Sequence, residues 1–364
     1  VLELQRKGLH LHLQNLSGKV GMRRGFTLVE LLVTFFIVSV ALTIAYVAYV
    51  NIVKGFKKQS KLTETQIETE VGIELMRLDI EHIGYGIGED QDALPLEQLT
   101  VASGDPLYPN KLQLVLRSVM NNTNQATVGW ALVDCSGGFL QVAGDSINNG
   151  TSVVYLGAGN RIFVANGSFG VCPGSGFYVA FPYDDTVASG CGTDPGDQYC
   201  NEISYILSAS QNLATCHPGT RNLLRRVGAG AGFPLLNCVA DWLVTYDIDR
   251  NGDGAVDVYD GEFNSATTSN DLDLNDDGVV SADEVRIGLK KVNVYILVQE
   301  GRRDPDYTFR NTVACATSSS GMAVASGMCV RIDTGAGTAD LGLPVDFANY
   351  RWKVIKLFVK PLNL

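Results

Sequence analysis

The chain has 364 residues, with 28 basic against 39 acidic side chains, a formal net charge of −11 and 46% hydrophobic residues. That length allows one large core or two small ones, and the acidic balance argues against bulk binding to a phosphate backbone. The 39 glycines and the short Asn, Ser, Thr and Asp clusters weigh against an all-helical bundle and favour loop-rich β structure.

Charge is concentrated at the start, where Arg6, Lys7, Lys19, Arg23 and Arg24 face one acid, Glu3. From Leu31 to Val53 there are 23 residues without a charge, about enough to cross a bilayer core of ~30 Å as a helix. The preceding basic residues predict that residues 1–25 stay cytoplasmic and that everything after Lys54 is exported. An ordinary secretory signal carries its cleavage site after the apolar run, whereas here the informative residues come before it. Glu30 sits at the membrane end of the run, where a carboxylate is costly and calls for a cationic partner or a helix N-terminus.

The stretch Met22-Arg23-Arg24-Gly25-Phe26-Thr27-Leu28-Val29-Glu30-Leu31-Leu32 resembles the type IV prepilin signature of basic leader, Gly, Phe and an apolar run interrupted by Glu. The resemblance implies cleavage between Gly25 and Phe26 by prepilin peptidase, N-methylation of Phe26, and retention of residues 26–53 as a transmembrane helix. It also implies that Glu30 pairs with the N-terminal amine of a neighbouring subunit. Residues 1–21 exceed the usual short leader. Either they belong to a longer leader or Met22 is the start and they are untranslated.

From Lys54 the sequence predicts an amphipathic helix to residue 84, closed by Gly84-Tyr85-Gly86. Ile67, Val71, Leu75 and Leu78 form its apolar stripe. Residues 85–364 then read as a β-rich body. Alternating segments predict strands at Leu112 to Leu116, Phe177 to Phe181, Ile203 to Leu207, Trp242 to Ile248, Val292 to Val298 and Ile355 to Val359. A long helix followed by strands means α+β with a mainly antiparallel sheet.

Cys135, Cys172, Cys191, Cys200, Cys216, Cys238, Cys315 and Cys329 all follow the apolar run and form no C-x-x-C pair, which predicts disulfides in an oxidising compartment. Cys172 to Cys216 reads as a local cluster, within a stapled, surface-exposed insertion at residues 120–220. Arg77 to Gly86, Arg221 to Gly228, Pro234-Leu235 and Tyr246 to Gly254 are similar to PilW-like minor pilins.

Residues 249–284 hold two sequences with EF-hand spacing. The first offers Asp249, Asn251 and Asp253, the carbonyl of Ala255, Asp257, and Asp260 at position 12. The second offers Asp273, Asn275 and Asp277, the carbonyl of Val279, Ser281, and Glu284 at position 12. Oxygen ligands at positions 1, 3 and 5, Gly at 6 and a carboxylate at 12 wrap Ca²⁺, so two calcium sites are expected. Asp260 is short for bidentate closure, and the first loop is entered from a strand rather than a helix.

The family resemblance implies a structural subunit, a minor pilin that takes part in pilus assembly or priming. Its expected partners are other pilins, the inner-membrane assembly machinery and prepilin peptidase, and no nucleic acid or small-molecule substrate. Its expected location is the inner membrane and then the pilus at the cell surface, with a periplasmic or extracellular body. A J-type pseudopilin of type II secretion shares the N-terminal chemistry, and a calcium-rigidified tip adhesin is the alternative from another class. An enzyme is disfavoured, because His82 and His217 are the only histidines beyond the leader and no G-x-S-x-G, H-E-x-x-H or phosphate-binding glycine loop is present.

Overall fold

A computed structural model describes residues 27–105, 108–186, 191, 199–211, 213–263 and 270–364. Two compact units divide at Gln59 and Ser60. Helix α1, Leu28–Glu81, begins in the first. Its Leu28–Phe56 stretch is 29 residues long with a mean hydropathy of 2.5 and buries nothing within the chain, as expected of a helix built to meet lipid or other helices.

The second unit is α+β. Its strands are β1 (Leu96–Asp105), β2 (Tyr108–Ser118), β3 (Ala131–Asp134), β4 (Leu140–Gly144), β5 (Ser152–Gly157), β6 (Phe163–Ser168), β7 (Phe177–Pro182) and β8 (Asn201–Leu207). There follow β9 (Arg221–Val227), β10 (Phe233–Ile248), β11 (Val258–Gly261), helix α2 (Ala282–Gly288), β12 (Leu289–Glu300), β13 (Val313–Ala314), β14 (Met328–Asp333), β15 (Thr338–Gly342) and β16 (Arg351–Val359). The main antiparallel sheet has the order β1-β2-β8-β9-β10-β12-β16, with β11 paired to β10. Strands β3 to β7 form a separate sheet, β4-β3-β7-β5-β6, and β13-β14-β15 a third. The inserted sheet is thus narrower than the 120–220 expectation. Strand β8 is an interior strand of the main sheet, and Cys216 also belongs to the main body.

The central strands are covered on both faces, so they read as continuous apolar runs rather than clean alternation. Trp242, Val244, Tyr246, Val292, Val294 and Ile296 face the layer holding Met76 and Ile80 of α1 and Ile83 of the turn that follows it. Leu243, Tyr295, Leu297 and Trp352 face the small sheet through Val330, Ile332 and Leu341. The buried face of α1 is Gly72, Met76, Asp79 and Ile80, not the expected stripe. Val71 is 67% and Ile67 57% exposed. The reason is close approach: a Cβ on Gly72 would lie 2.6 Å from the Leu235 carbonyl oxygen, so a glycine takes the place a large apolar residue was expected to fill.

One polar knot fixes this helix. Asp79 and Tyr205 are buried and Arg225 nearly so. Arg225 donates from Nε to Asp79 Oδ2 at 2.6 Å and from Nη2 to Oδ1 at 3.1 Å. The Tyr205 hydroxyl donates to Oδ2 and Asn122 Nδ2 to Oδ1 at 2.8 Å. Burial, then the Asp79 charge, push the Tyr205 hydroxyl well above its ordinary range, so it stays a donor. After Glu81 the chain turns through Gly84 (φ 77°) and Gly86 (φ 71°), and Gly84 N–H bonds to the Arg117 carbonyl at 2.9 Å.

Four cysteine pairs stand at disulfide distance: Cys135 with Cys172, Cys191 with Cys200, Cys216 with Cys238, and Cys315 with Cys329. The expected Cys172 to Cys216 cluster does not form, because its end members pair outward to Cys135 and Cys238.

A second buried carboxylate joins the main sheet to the small one. The register of β10 against β12 shifts between Val239 and Asp241, a bulge that turns Asp241 toward the small sheet. Asp241 is 0% exposed. It accepts from the Gly342 amide (2.8 Å), the Trp242 amide (2.8 Å) and the Ser320 hydroxyl (2.7 Å), and burial pushes its pKa up to about 6.

Arg225→Met strands the buried Asp79 charge and is expected to cost about 3–5 kcal/mol in chemical denaturation, with most of the loss recovered in the Asp79→Leu/Arg225→Met pair. For Asp241 the folded pKa lies above the unfolded one, so its contribution is fully present below pH ~4 and is lost as pH rises through ~6. The stability difference between wild type and Asp241→Asn should therefore fall by roughly 3 kcal/mol from pH 4 to pH 7. Urea titrations at both pH values measure it, and a flat difference would rule the effect out.

Candidate functional site

The N-terminal motif enters the described residues at Thr27. Gly25 and Phe26, the expected processing pair, lie outside them, as do residues 1–24. Thr27 and Glu30 form a reciprocal cap at the start of α1. Glu30 Oε2 accepts from the Thr27 amide (3.0 Å) and hydroxyl (3.1 Å), while the Glu30 amide donates to Thr27 Oγ1 at 3.3 Å. A Thr-x-x-Glu spacing satisfies two orphan donors of the first turn. Glu30 thus sits at its helix N-terminus as expected, and its bonds to Thr27 are the part the sequence reading did not assign.

The two acidic loops share one backbone. Asp249 accepts from the Gly252 and Gly254 amides, both at 2.7 Å. In the second loop Asp273 accepts from Asp277 (3.1 Å) and Gly278 (2.7 Å). Asn251 and Asn275 accept from the amides of Asp253 (2.9 Å) and Asp277 (2.8 Å). Asp253 and Asp277 accept from Ala255 and Val279, both at 2.8 Å. Left-handed residues fall at the same places, Gly252 (φ 75°) and Gly254 (φ 89°) against Asp276 (φ 58°) and Gly278 (φ 85°).

The closing carboxylate of the first loop differs from expectation, and that of the second does not. In the second loop Glu284 Oε1 accepts from Leu274 (2.9 Å) and Asn275 (3.2 Å), and its Oε2 accepts from the Ser281 amide and hydroxyl (2.7 and 2.8 Å). Ser281 caps α2 in a capping box with Glu284. In the first loop the corresponding amides, Arg250 and Asn251, bond to Asp257 Oδ2 at 2.9 and 3.3 Å. Asp257 therefore stands where Glu284 stands. Asp260 does not join this loop, because its carboxylate accepts from Thr245 Oγ1 (2.6 Å), Tyr295 OH (3.0 Å), Asn293 Nδ2 (3.2 Å) and the Ala336 amide (3.0 Å). That places it between β10, β12 and the loop before β15.

Protein cations reach both loops. Lys290 Nζ is 3.2 Å from Asp249 Oδ2, and Arg250 donates to the Asp273 carbonyl (3.3 Å) and Asp276 Oδ1 (3.2 Å). Burial pushes the Asp249 carboxyl up, but the Gly254 and Gly252 amides and the Lys290 ammonium outweigh it and hold the pKa below its ordinary value. Among the described residues no three His, Cys, Asp or Glu side chains converge at metal-ligand spacing, since the loop oxygens are turned to the loops' own amides.

Comparison with known proteins bears on the N-terminal motif. A family model for the prokaryotic N-terminal methylation motif matches residues 21–46. Comparison with curated proteins gives no match. Among solved structures the chain is similar to a type IV-like pilin from Thermus thermophilus, with 10% identity over 82% of this chain and 97% of that one and a TM-score of 0.30. What the comparisons establish for this chain is therefore the prokaryotic N-terminal methylation motif at residues 21–46.

Proposed function

We propose that this protein is a minor pilin, a structural subunit that helps to assemble or prime a type IV pilus, with a periplasmic or extracellular body stabilised by calcium. The observation that supports it most is the methylation motif leading directly into an apolar helix of 29 residues that buries nothing in its own chain. Such a surface is a cost for a solitary soluble protein and an asset for one held first by lipid and then by neighbouring helices. Prepilin peptidase would act before Phe26, and PilW-like pilins are the nearest expected kind.

The calcium reading rests on ligand chemistry. Both loops present hard oxygen donors only, at the sequence spacing of a Ca²⁺-binding loop. Asp249, Asn251, Asp253 and the Ala255 carbonyl would hold one ion, closed by Asp257. Asp273, Asn275, Asp277 and the Val279 carbonyl would hold the other, closed by Glu284. Calcium would displace the Lys290 ammonium from Asp249 and replace amide bonds with stronger ionic ones.

Two outcomes are expected. N-terminal sequencing of the mature protein should begin at Phe26, and Gly25→Val should leave the chain unprocessed; a mature start beyond residue 45 overturns the reading. Thermal unfolding of the full chain at ~1 mM calcium and in EDTA should differ by about 1.4 kcal/mol per site at an extracellular-type affinity. Glu284→Gln and Asp257→Asn should each shrink that difference, while Asp260→Asn should leave it unchanged. Equal melting temperatures in both buffers would remove calcium from the account.

A further inference from the structure

The body contains a cavity of about 730 Å³ between the turn after Cys216, the loop before β14 and the segment after β15. Its wall is largely apolar, with Pro218, Met322, Val324, Leu343, Pro344 and Tyr350, and Arg303, Asn349 and Asp346 are its charged or amide side chains apart from His217. The volume suits a whole small molecule, well beyond one side chain.

Each wall is pinned independently. Cys216–Cys238 holds the turn that carries His217, and Cys315–Cys329 closes the loop that carries Met322 and Val324. His217 is a tie rather than a reactive group. Its Nδ1 accepts the Gly219 amide at 2.9 Å, its backbone amide donates to Gln299 Oε1 at 2.6 Å, and its ring meets Tyr350 edge-on at 4.7 Å. Burial lowers its pKa, which keeps it neutral. Asp241, buried without a cationic partner in the contacts described above, holds Gly342 and Ser320 beside the same cavity. A buried carboxylate met by neutral donors alone still carries a desolvation cost, and here its bonds hold two segments beside one cavity.

We infer that this cavity is a preformed binding site for a small carboxylate with a compact apolar body. The apolar wall takes the body. The Arg303 guanidinium is exposed and makes a long bond to Asn349 Oδ1, 3.5 Å, so its planar fork is available to receive a carboxylate. Asp346 lies on the His217 side, which directs an anionic head away from that wall and toward Arg303 and Asn349. This site is independent of the acidic loops and of the N-terminal motif.

The test uses the full chain in lipid nanodiscs and saturation-transfer NMR with 3-phenylpropionate and its neutral analogue 3-phenylpropanamide, with empty discs as the blank. The wild type is expected to bind the acid more tightly than the amide. Arg303→Gln should weaken the acid about tenfold and leave the amide unchanged. Ala323→Trp, at an exposed wall position, should fill the cavity and abolish both signals. No transfer above the empty discs, equal loss of acid and amide in Arg303→Gln, or full binding to Ala323→Trp would each overturn the inference.

Discussion

A single carboxylate, Asp79, sets the terms for the body, because a buried charge on a helix must be met by every element packed around it. Arg225 comes from β9, Tyr205 from β8 and Asn122 from the segment after β2. Shifting α1 by one residue would unpair them all, and a half-satisfied buried network is worse than an apolar one. The net energy of such a cluster is small, since desolvation offsets attraction. Its value here is register: with Asp79 fixed, Gly72 lies against Leu235, and Met76, Ile80 and Ile83 fall over the main sheet.

The same device recurs elsewhere in the body. Asp241 ties β10 to β15, and Asp260 ties β10 and β12 to the loop before β15. The first residues of the acidic loops satisfy their own glycine amides. Three layers with short connections leave many backbone amides near the seams, and carboxylates accept from two or more at once. An acidic composition is therefore not only surface charge; part of it is internal joinery.

Much of the architecture was legible in the sequence. Every second residue of Leu112 to Leu116, Ile203 to Leu207 and Val292 to Val298 belongs to one core layer, and that period located the strands even where the other face is covered too. The helix and its glycine stop were plain as well. The stripe was misread because the reading ranked large apolar residues, and the closest helix-to-sheet approach needs Gly72 instead of Val71. Cysteine pairing depends on which strands become neighbours, and position along the chain does not report that. Asp260 matched a loop template by spacing, yet the strand β11 at Val258–Gly261 carries it out of the loop. Asp257 was on the list of ligands but not as the closing one, since a linear template has no means of showing that an earlier position reaches the same amides. The cavity beside His217 draws on residues from 217 to 350 and left no local signal.

The order of the main sheet governs when the body can close. Its central strand β10 is flanked by β12, whose outer neighbour is β16, and the Leu362 amide returns to the Glu81 carbonyl at the foot of α1. The sheet that carries Tyr205 and Arg225 is therefore not complete until β16, close to residue 364, has paired. Non-local pairing of this kind is slow to form. The body consequently closes late, at a seam where its first and last segments meet.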